Sequence, residues 1–124
     1  MIFTIPTDWS VLVLEDTESR IAWFRERLPE ATFCITASQA IRALHAKTFR
    51  VAFLDHDLGF LDAADHTRPN GNGKEVARYL VQINFSGVIV LHSLNAPARD
   101  LMAGILPQAH IAPFGSFDIQ RPPI

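Results

Sequence analysis

The chain has 124 residues, 48% of them hydrophobic, and its formal net charge is −2 at pH 7. This length suits a single core, so we expect residues 1–124 to form one domain and exclude a multidomain organisation. The small negative charge excludes a global attraction for nucleic acid, and any binding of phosphate must therefore be local.

Short apolar runs, which suit buried strands, alternate along the chain with segments whose apolar residues recur at helical spacing. Capping residues, glycines and prolines mark the boundaries between these segments. In chain order the predicted elements are a strand at 10–14, a helix at 18–28, a strand at 32–36, a helix that Ser38 caps, a strand at 51–54, a helix that ends at 84–87, a strand at 88–91, a helix that Asn95 caps and a strand at 110–114.

The apolar positions of the four helices predict which side chains face the core. They are Ile21, Phe24 and Leu28 in the first helix, Ala40, Ile41 and Leu44 in the second, Val76, Ala77, Leu80 and Val81 in the third, and Leu101, Ile105 and Leu106 in the fourth.

This alternation predicts an α/β fold, because right-handed crossovers turn it into a three-layer, doubly wound domain with a five-stranded parallel sheet. We expect the strand order 2-1-3-4-5. Residues 115–124 contain two prolines and are too short and too broken for a fifth helix. The sheet face left open must be covered by the segment up to Trp9, by the tail after Phe114 or by a second subunit, and a homodimer through this face is our first expectation.

No apolar run approaches the roughly 20 residues that cross a bilayer, and residues 1–8 lack the basic start of a secretory signal. The single cysteine, Cys34, lies in an apolar stretch and has no second cysteine to pair with, which is typical of a reduced, buried thiol. We therefore predict a cytoplasmic protein without membrane association.

Acidic and imidazole side chains follow three strands that are neighbours in the predicted sheet. They are Glu15 and Asp16 after the first strand, Asp55, His56 and Asp57 after the third, and His92, followed by Ser93, after the fourth. In open parallel sheets, ligands bind beyond the carboxyl ends of the strands. The sequence therefore predicts one functional site at this edge of the sheet.

Glu15, Asp16 and Asp55 form a candidate metal site, because neighbouring carboxylates repel each other unless a cation or a proton lies between them. An all-oxygen ligand set suits Mg²⁺, and coordination by His56 or His92 would favour Mn²⁺, Fe²⁺ or Zn²⁺. A divalent cation, Mg²⁺ or Mn²⁺, is thus the expected cofactor. Two purely structural roles stay open. Asp16 can cap the first helix, and Asp57 can stabilise a turn.

His56 and His92 end adjacent strands, and two histidines that flank a phosphodiester can supply a general base and a general acid near neutral pH. With Asp55 and Asp57 they form the predicted catalytic set. The alternative is that each imidazole only hydrogen-bonds a neighbouring carboxylate and thereby orders the edge of the sheet.

The amino end of the fourth helix is predicted to face the same edge. Its backbone N–H groups and the side chains of Ser93, Asn95 and Arg99 are candidate donors to phosphate oxygens. The polar segment 60–73 is long for a loop in a compact domain, and its His66 either closes over a ligand or belongs to a solvated turn.

Leu14-Glu15-Asp16, Phe53-Leu54-Asp55 and Val90-Leu91-His92-Ser93 resemble, in order and spacing, the receiver domain of two-component signalling. The resemblance covers nearly the whole chain and implies the receiver fold, which is flavodoxin-like, with Glu15 and Asp16 holding Mg²⁺ and Asp55 as phosphoacceptor. Three features depart from the receiver pattern. The hydroxyl position falls on His92 or Ser93, Ala112 replaces the lysine of the last strand, and the fifth helix is missing.

His-Asp-Leu-Gly after the third strand, His-Ser-x-Asn after the fourth and the lengthened loop are similar to a divergent offshoot, the cyclic-phosphate-processing receiver family. This resemblance implies recognition or metal-assisted hydrolysis of a cyclic phosphate on a nucleotide or an RNA end, as in RNA repair. The alternative is a phosphoacceptor receiver, or a pseudo-receiver, that signals through protein interactions. Ala112 weakens that alternative, because a lysine normally answers the charge of the new phosphoryl group.

Overall fold

The computed structural model describes residues 1–59 and 70–122, which contain four helices of ten residues each and seven strands. In chain order they are β1 (Ile2–Thr4), β2 (Val11–Leu14), α1 (Glu18–Arg27), β3 (Thr32–Cys34), α2 (Ala37–Ala46), β4 (Val51–Leu54), α3 (Gly73–Gln82), β5 (Val88–Leu91), α4 (Ala96–Ile105), β6 (His110–Ile111) and β7 (Asp118–Gln120). The predicted role of His66 lies outside the described residues. None of the described helices is long and apolar enough to cross a membrane.

Five parallel strands form the main sheet in the order β3-β2-β4-β5-β6. This is the predicted order 2-1-3-4-5, because β1 precedes the strand that the sequence pattern places first. All residues of β2 and β4 are buried, as their continuous apolar runs predict for strands covered on both faces. The predicted α/β fold is therefore confirmed.

Two apolar clusters cover the two faces of the sheet. One cluster joins Leu12 and Leu54 to buried residues of α2, α3 and α4. The other joins Val13 and Phe53 to α1 and to residues near both ends of the described chain. Alternate residues of one strand thus point to opposite layers, as the pleat of a strand requires.

The second face is completed by a feature that the sequence analysis missed, a small parallel sheet of β1 and β7. Phe3 and Phe117 pack their rings on Phe53 at centroid distances of 6.2 and 6.0 Å. Ile5 and Ile119 are buried in the same cluster. Of the three covers that were left open, the chain's own terminal segments are the ones observed here. The homodimer stays a prediction. The uncovered face from which it was inferred is not present among the described residues, because the terminal segments cover it.

The ends of some elements differ from the prediction. Thr36, not Ser38, caps α2, because its side chain accepts a hydrogen bond from the backbone N–H of Gln39 at 3.0 Å. As a result, β3 ends at Cys34, two residues earlier than predicted. The last strand is also shorter than predicted and spans only His110–Ile111.

Two predicted core residues are instead exposed. Leu101 in α4 is 60% exposed and Val81 in α3 is 55% exposed. In α4 the buried positions are Ala98 and Met102, followed by Leu106 just after the helix, at a spacing of four residues. A residue one position off such a stripe is rotated by about 100° around the helix axis, which turns Leu101 away from the sheet.

Candidate functional site

Glu15, Asp55 and His92 are the first residues after β2, β4 and β5. The backbone N–H of Asp55 donates to the carbonyl of Leu14, and that of His92 donates to the carbonyl of Leu54, each at 3.0 Å. The strand pairing therefore continues by one residue and holds the three side chains next to each other. One ligand atom from each lies within 4.8 Å of the other two, so the predicted convergence of these strand ends is observed.

Glu15 and His92 form a fully buried pair in which Nε2 of the imidazole lies 3.0 Å from Oε1 of the carboxylate. The other oxygen, Oε2, accepts hydrogen bonds from the backbone N–H groups of Asp16 and Thr17 at 3.0 Å. Burial acts to raise the pKa of Glu15, but the hydrogen bond and charge of His92, the backbone hydrogen bond of Thr17 and the charge of Arg20 lower it below its ordinary value. The acid is thus held in its ionised form.

His92 lies beneath the site and not in its wall. Its side chain has no solvent exposure, and its ring packs on Phe24 at a centroid distance of 5.2 Å. Nδ1 is buried and has no hydrogen-bond partner among the described residues. The observed contact with Glu15 matches the alternative in which this imidazole orders a neighbouring carboxylate. That His56 and His92 flank a phosphodiester stays a prediction.

Asp55 is the acid whose protonation the site changes most. Its side chain is buried, and burial, followed by the negative charge of Glu15, raises its pKa from 3.8 to about 6. The charge of His92 and a backbone hydrogen bond from His56 act in the opposite direction. Near neutral pH, Asp55 can therefore exchange a proton, or ionise fully when a cation replaces that proton.

A polar pocket of about 250 Å³ opens beside these buried groups. Its described lining includes Asp16, Asp55 and Asp57 together with Arg20 and two polar groups of the β5–α4 connection, Ser93 and Asn95. The pocket therefore brings together three of the predicted acids and two of the predicted phosphate donors. It lies beyond the carboxyl ends of the strands, where parallel sheets bind their ligands.

Asp16 and Asp57 are each fixed by contacts across the pocket edge. An oxygen of Asp16 accepts a hydrogen bond from the backbone N–H of Gly59, which has a positive φ of 73° that favours glycine. Asp16 does not cap α1, since Thr17 occupies the N-cap position. Oδ1 of Asp57 lies 2.7 Å from Nδ1 of His56. Both carboxylates thus have defined positions.

The amino end of α4 is organised by hydrogen bonds among the predicted phosphate donors. The amide of Asn95 donates to Asp57 at 3.2 Å, and its Oδ1 accepts from the N–H of Ala98 at 3.2 Å, as expected of the predicted cap. Ser93 accepts from the N–H of Asn95 at 3.1 Å. Arg99 donates to the carbonyl of Ser93 at 2.9 Å and is not part of the described pocket wall.

A family model supplies the identification. The model of the cyclic-phosphate processing receiver domain matches residues 11–108, which include every predicted site residue. The chain belongs to this family. The resemblance inferred from the short motifs is therefore confirmed. No curated protein matches the chain.

Solved structures that resemble this chain include receiver domains of bacterial response regulators. The response regulator TrrA of Thermotoga maritima, in complex with Mg²⁺ and BeF, has 17% identity and a TM-score of 0.65, over 86% of this chain and 89% of that one. The receiver domain of the Francisella response regulator 1452 has 13% identity and a TM-score of 0.65, over 86% and 84%. The signal receiver domain of a LuxO repressor protein, described as putative, from Vibrio parahaemolyticus has 18% identity and a TM-score of 0.61, over 94% and 79%. At these identities the likeness shows the fold alone.

The donor set of this receiver domain fits a divalent cation. Buried Glu15, Asp55 and His92 each offer a ligand atom, and the two acids repel each other without a proton or a cation between them. Compared with the predicted set Glu15, Asp16 and Asp55, the structure groups the imidazole with the two buried acids and leaves Asp16 in the adjacent pocket wall. Which of these oxygens hold a cation stays a prediction.

The sequence analysis missed several residues of the site, including Arg20 and Gly73. Arg20 in α1 lines the pocket, and the sequence pattern did not predict it as a site residue. Gly73 begins α3 against the site: its N–H donates to the carbonyl of His56 at 2.8 Å, and a Cβ at this position would lie 2.0 Å from the carbonyl oxygen of Asp55. The glycines and asparagines at 70–73 were the only sequence signal for this close approach.

Proposed function

We propose that this receiver domain binds a divalent cation and a phosphate ester in its acidic pocket, and that it recognises or hydrolyses cyclic phosphates on nucleotides or RNA ends. One observation carries the proposal: Asp16, Asp55 and Asp57 share a pocket with the ordered amino end of α4. Membership of the cyclic-phosphate processing family supports the choice of ligand.

The proposed cation ligands are Glu15, Asp16 and Asp55, with His92 as a further donor. Mg²⁺ suits the carboxylates, whereas participation of the imidazole favours Mn²⁺. The Thermotoga receiver complex with Mg²⁺ and BeF supports a divalent cation in a domain of this fold. When bound, such a cation neutralises the acids and polarises a phosphoryl oxygen.

Asp57 and His56 are the proposed groups that take up and return protons, while Asp55 holds the cation. Asp57 lines the pocket, and His56 contacts it at 2.7 Å, so a proton taken from water or a ribose hydroxyl passes between the carboxylate and the imidazole. Asp55 is ionised when it holds the cation, so the imidazole of His56, once protonated, returns the proton to the leaving oxygen. His92 is buried, so its proposed roles are to position Glu15 and to offer the cation a further donor atom.

Phosphate oxygens are proposed to bind at the amino end of α4. Ser93 and Asn95 line the pocket, and the first-turn N–H groups of the helix add donors at the positive end of its dipole. Arg99, which is outside the described pocket wall, donates to the carbonyl of Ser93 and thereby positions this residue.

Phosphorus NMR of 2′,3′-cyclic nucleotides incubated with the protein and Mg²⁺ or Mn²⁺ tests this function. The proposal predicts conversion to the ring-opened monophosphate, with loss of turnover in Asp55→Asn and in His56→Gln. His45→Gln is the matched control, because His45 is exposed on α2 and lies outside the site. Absence of both turnover and binding contradicts the proposal.

The signalling alternative predicts a different outcome with the same variant. Acetyl phosphate would label the wild-type protein and not Asp55→Asn, while cyclic nucleotides would be neither bound nor opened. That combined result would replace hydrolysis by phosphoacceptor function.

A further inference from the structure

Arg20 is the one cationic residue in the pocket wall within residues 1–59 and 70–122. Three of its neighbours in this wall are the carboxylates Asp16, Asp55 and Asp57. A wall of this composition repels a phosphate group, which is itself an anion, unless positive charge is supplied. The position of Arg20 therefore bears directly on which ligands the pocket accepts.

The guanidinium of Arg20 contacts Glu15 and Phe114, and neither contact is a hydrogen bond. Nη1 lies 3.7 Å from Oε1 of Glu15, an ion pair that is longer than a hydrogen bond. Its Cζ lies 5.4 Å from the ring centroid of Phe114, a cation–π contact. Phe114 is itself fixed, since its N–H donates to the carbonyl of His92 at 2.9 Å. Within the described part of the chain, Arg20 thus keeps N–H donors for a ligand while its position is defined.

The segment after β6 supplies no cation to the pocket but contacts the arginine that α1 supplies. Ala112 hydrogen-bonds to the carbonyl of Leu91 at 3.0 Å and is buried, so this segment contributes a methyl group and no cation at the end of β6. Two residues later, the ring of Phe114 forms a surface on which the planar guanidinium lies. Positive charge therefore reaches the pocket from α1.

We propose that Arg20 is the phosphate-binding cation of this pocket and selects ligands with a phosphoryl group that carries two unesterified oxygens. This inference rests on the proposed function and deepens it. A guanidinium can donate two parallel hydrogen bonds to such a pair of oxygens, which a single ammonium cannot do with the same geometry. A cyclic phosphate diester and a phosphate monoester both present this pair. A neutral nucleoside does not and is excluded.

Binding of 2′,3′-cyclic AMP and of inorganic phosphate, measured by calorimetry with Mg²⁺ present, tests this role. Loss of a charge-assisted hydrogen bond in Arg20→Gln is expected to weaken both affinities by about ten-fold or more. Arg20→Lys, which keeps the charge, is expected to recover only part of the loss. Arg25→Gln is the matched control on the same helix, because Arg25 is exposed and stacks on Phe33 outside the pocket. It should bind as the wild type does.

Mn²⁺ affinity, measured by electron paramagnetic resonance, separates a lost ligand contact from a misfolded site. We expect Arg20→Gln to bind Mn²⁺ at least as tightly as the wild type, since a positive charge next to Glu15 has been removed. Wild-type affinity of Arg20→Gln for both phosphate ligands would overturn the role of Arg20 and leave the proposed function intact. If the wild type itself binds neither ligand, both the proposed function and this inference fail. If Arg20→Gln does not fold, Arg20→Lys decides the question. Wild-type affinity of Arg20→Lys for both phosphate ligands would overturn the proposed pair of hydrogen bonds from the guanidinium.

Discussion

His92 Nε2 lies 3.0 Å from Glu15 Oε1, and neither side chain has any solvent exposure. The two residues are 77 positions apart in sequence and end different strands, so their contact ties β2 and β5 together across β4. Removal of one partner from a buried carboxylate–imidazole pair leaves the other without compensation in a medium of low dielectric constant.

His92→Phe should therefore destabilise the domain although it preserves a ring of similar size. We expect a loss of roughly 3 kcal/mol in the free energy of unfolding, because Glu15 stays buried without its partner. Urea denaturation at pH 7 in EDTA measures the change, with His45→Phe on the surface of α2 as control. An unchanged midpoint in His92→Phe would show that the pair has no such importance.

Asp55→Asn should make the domain more stable at neutral pH in the absence of metal. The pKa of Asp55 is about 6 in the folded state and 3.8 ordinarily. The stability that protonated Asp55 contributes is therefore fully present below pH 4 and is lost as the pH rises through 6. The difference between these two pKa values corresponds to about 3 kcal/mol. The stability gained by the variant should thus grow between pH 4 and pH 7. A difference that does not vary with pH would contradict the raised pKa.

Divalent cations should stabilise the protein more at pH 7.5 than at pH 5. At the lower pH a proton occupies Asp55 and competes with the cation, whereas at the higher pH the ionised carboxylate is available. Thermal melts with Mg²⁺ or Mn²⁺ at 100 times the dissociation constant should show a gain of about 2.7 kcal/mol at pH 7.5. The gain should disappear in Asp55→Asn. Equal stabilisation at both pH values would place the cation away from Asp55.

Gly73→Ala should disturb the site from the backbone side. The added Cβ would lie 2.0 Å from the carbonyl oxygen of Asp55, so α3 or the strand end must move. We expect a loss of more than about 1 kcal/mol in stability together with weaker cation binding. Gly104→Ala in α4 is the matched control, because no atom lies within 4 Å of its added Cβ and alanine favours the helix by about 0.5–1 kcal/mol. Equal effects of both variants would contradict the close approach at Gly73.

The sequence was sufficient to predict the sheet and its acidic edge. Runs such as Val11–Leu14 and Val51–Leu54 are apolar throughout, which identifies doubly covered strands, and the doubly wound fold that their alternation with helices predicts commonly has the observed order. Once that order is known, Glu15 and Asp55 must be neighbours. The convergence of charge therefore follows from local pattern and topology alone.

The rest depends on tertiary contacts that no local pattern encodes. β1 and β7 pair over more than a hundred residues of sequence, and each is only three residues long. The burial of His92 results from its packing against Phe24 on another element. Arg20 reaches the pocket because Phe114 offers its ring from the far end of the chain. Such contacts appear only when the layers are assembled.

Binding of cation and phosphate at one edge of the sheet is tested most directly by phosphorus NMR of 2′,3′-cyclic AMP with Mn²⁺. In complex with wild-type protein, Mn²⁺ should broaden the phosphorus resonance far beyond the effect of the same free Mn²⁺ concentration, because ion and phosphate share the pocket at Asp55. Asp55→Asn should abolish the extra broadening, whereas His45→Gln should retain it. A wild-type resonance no broader than that of the protein-free control would contradict a shared site.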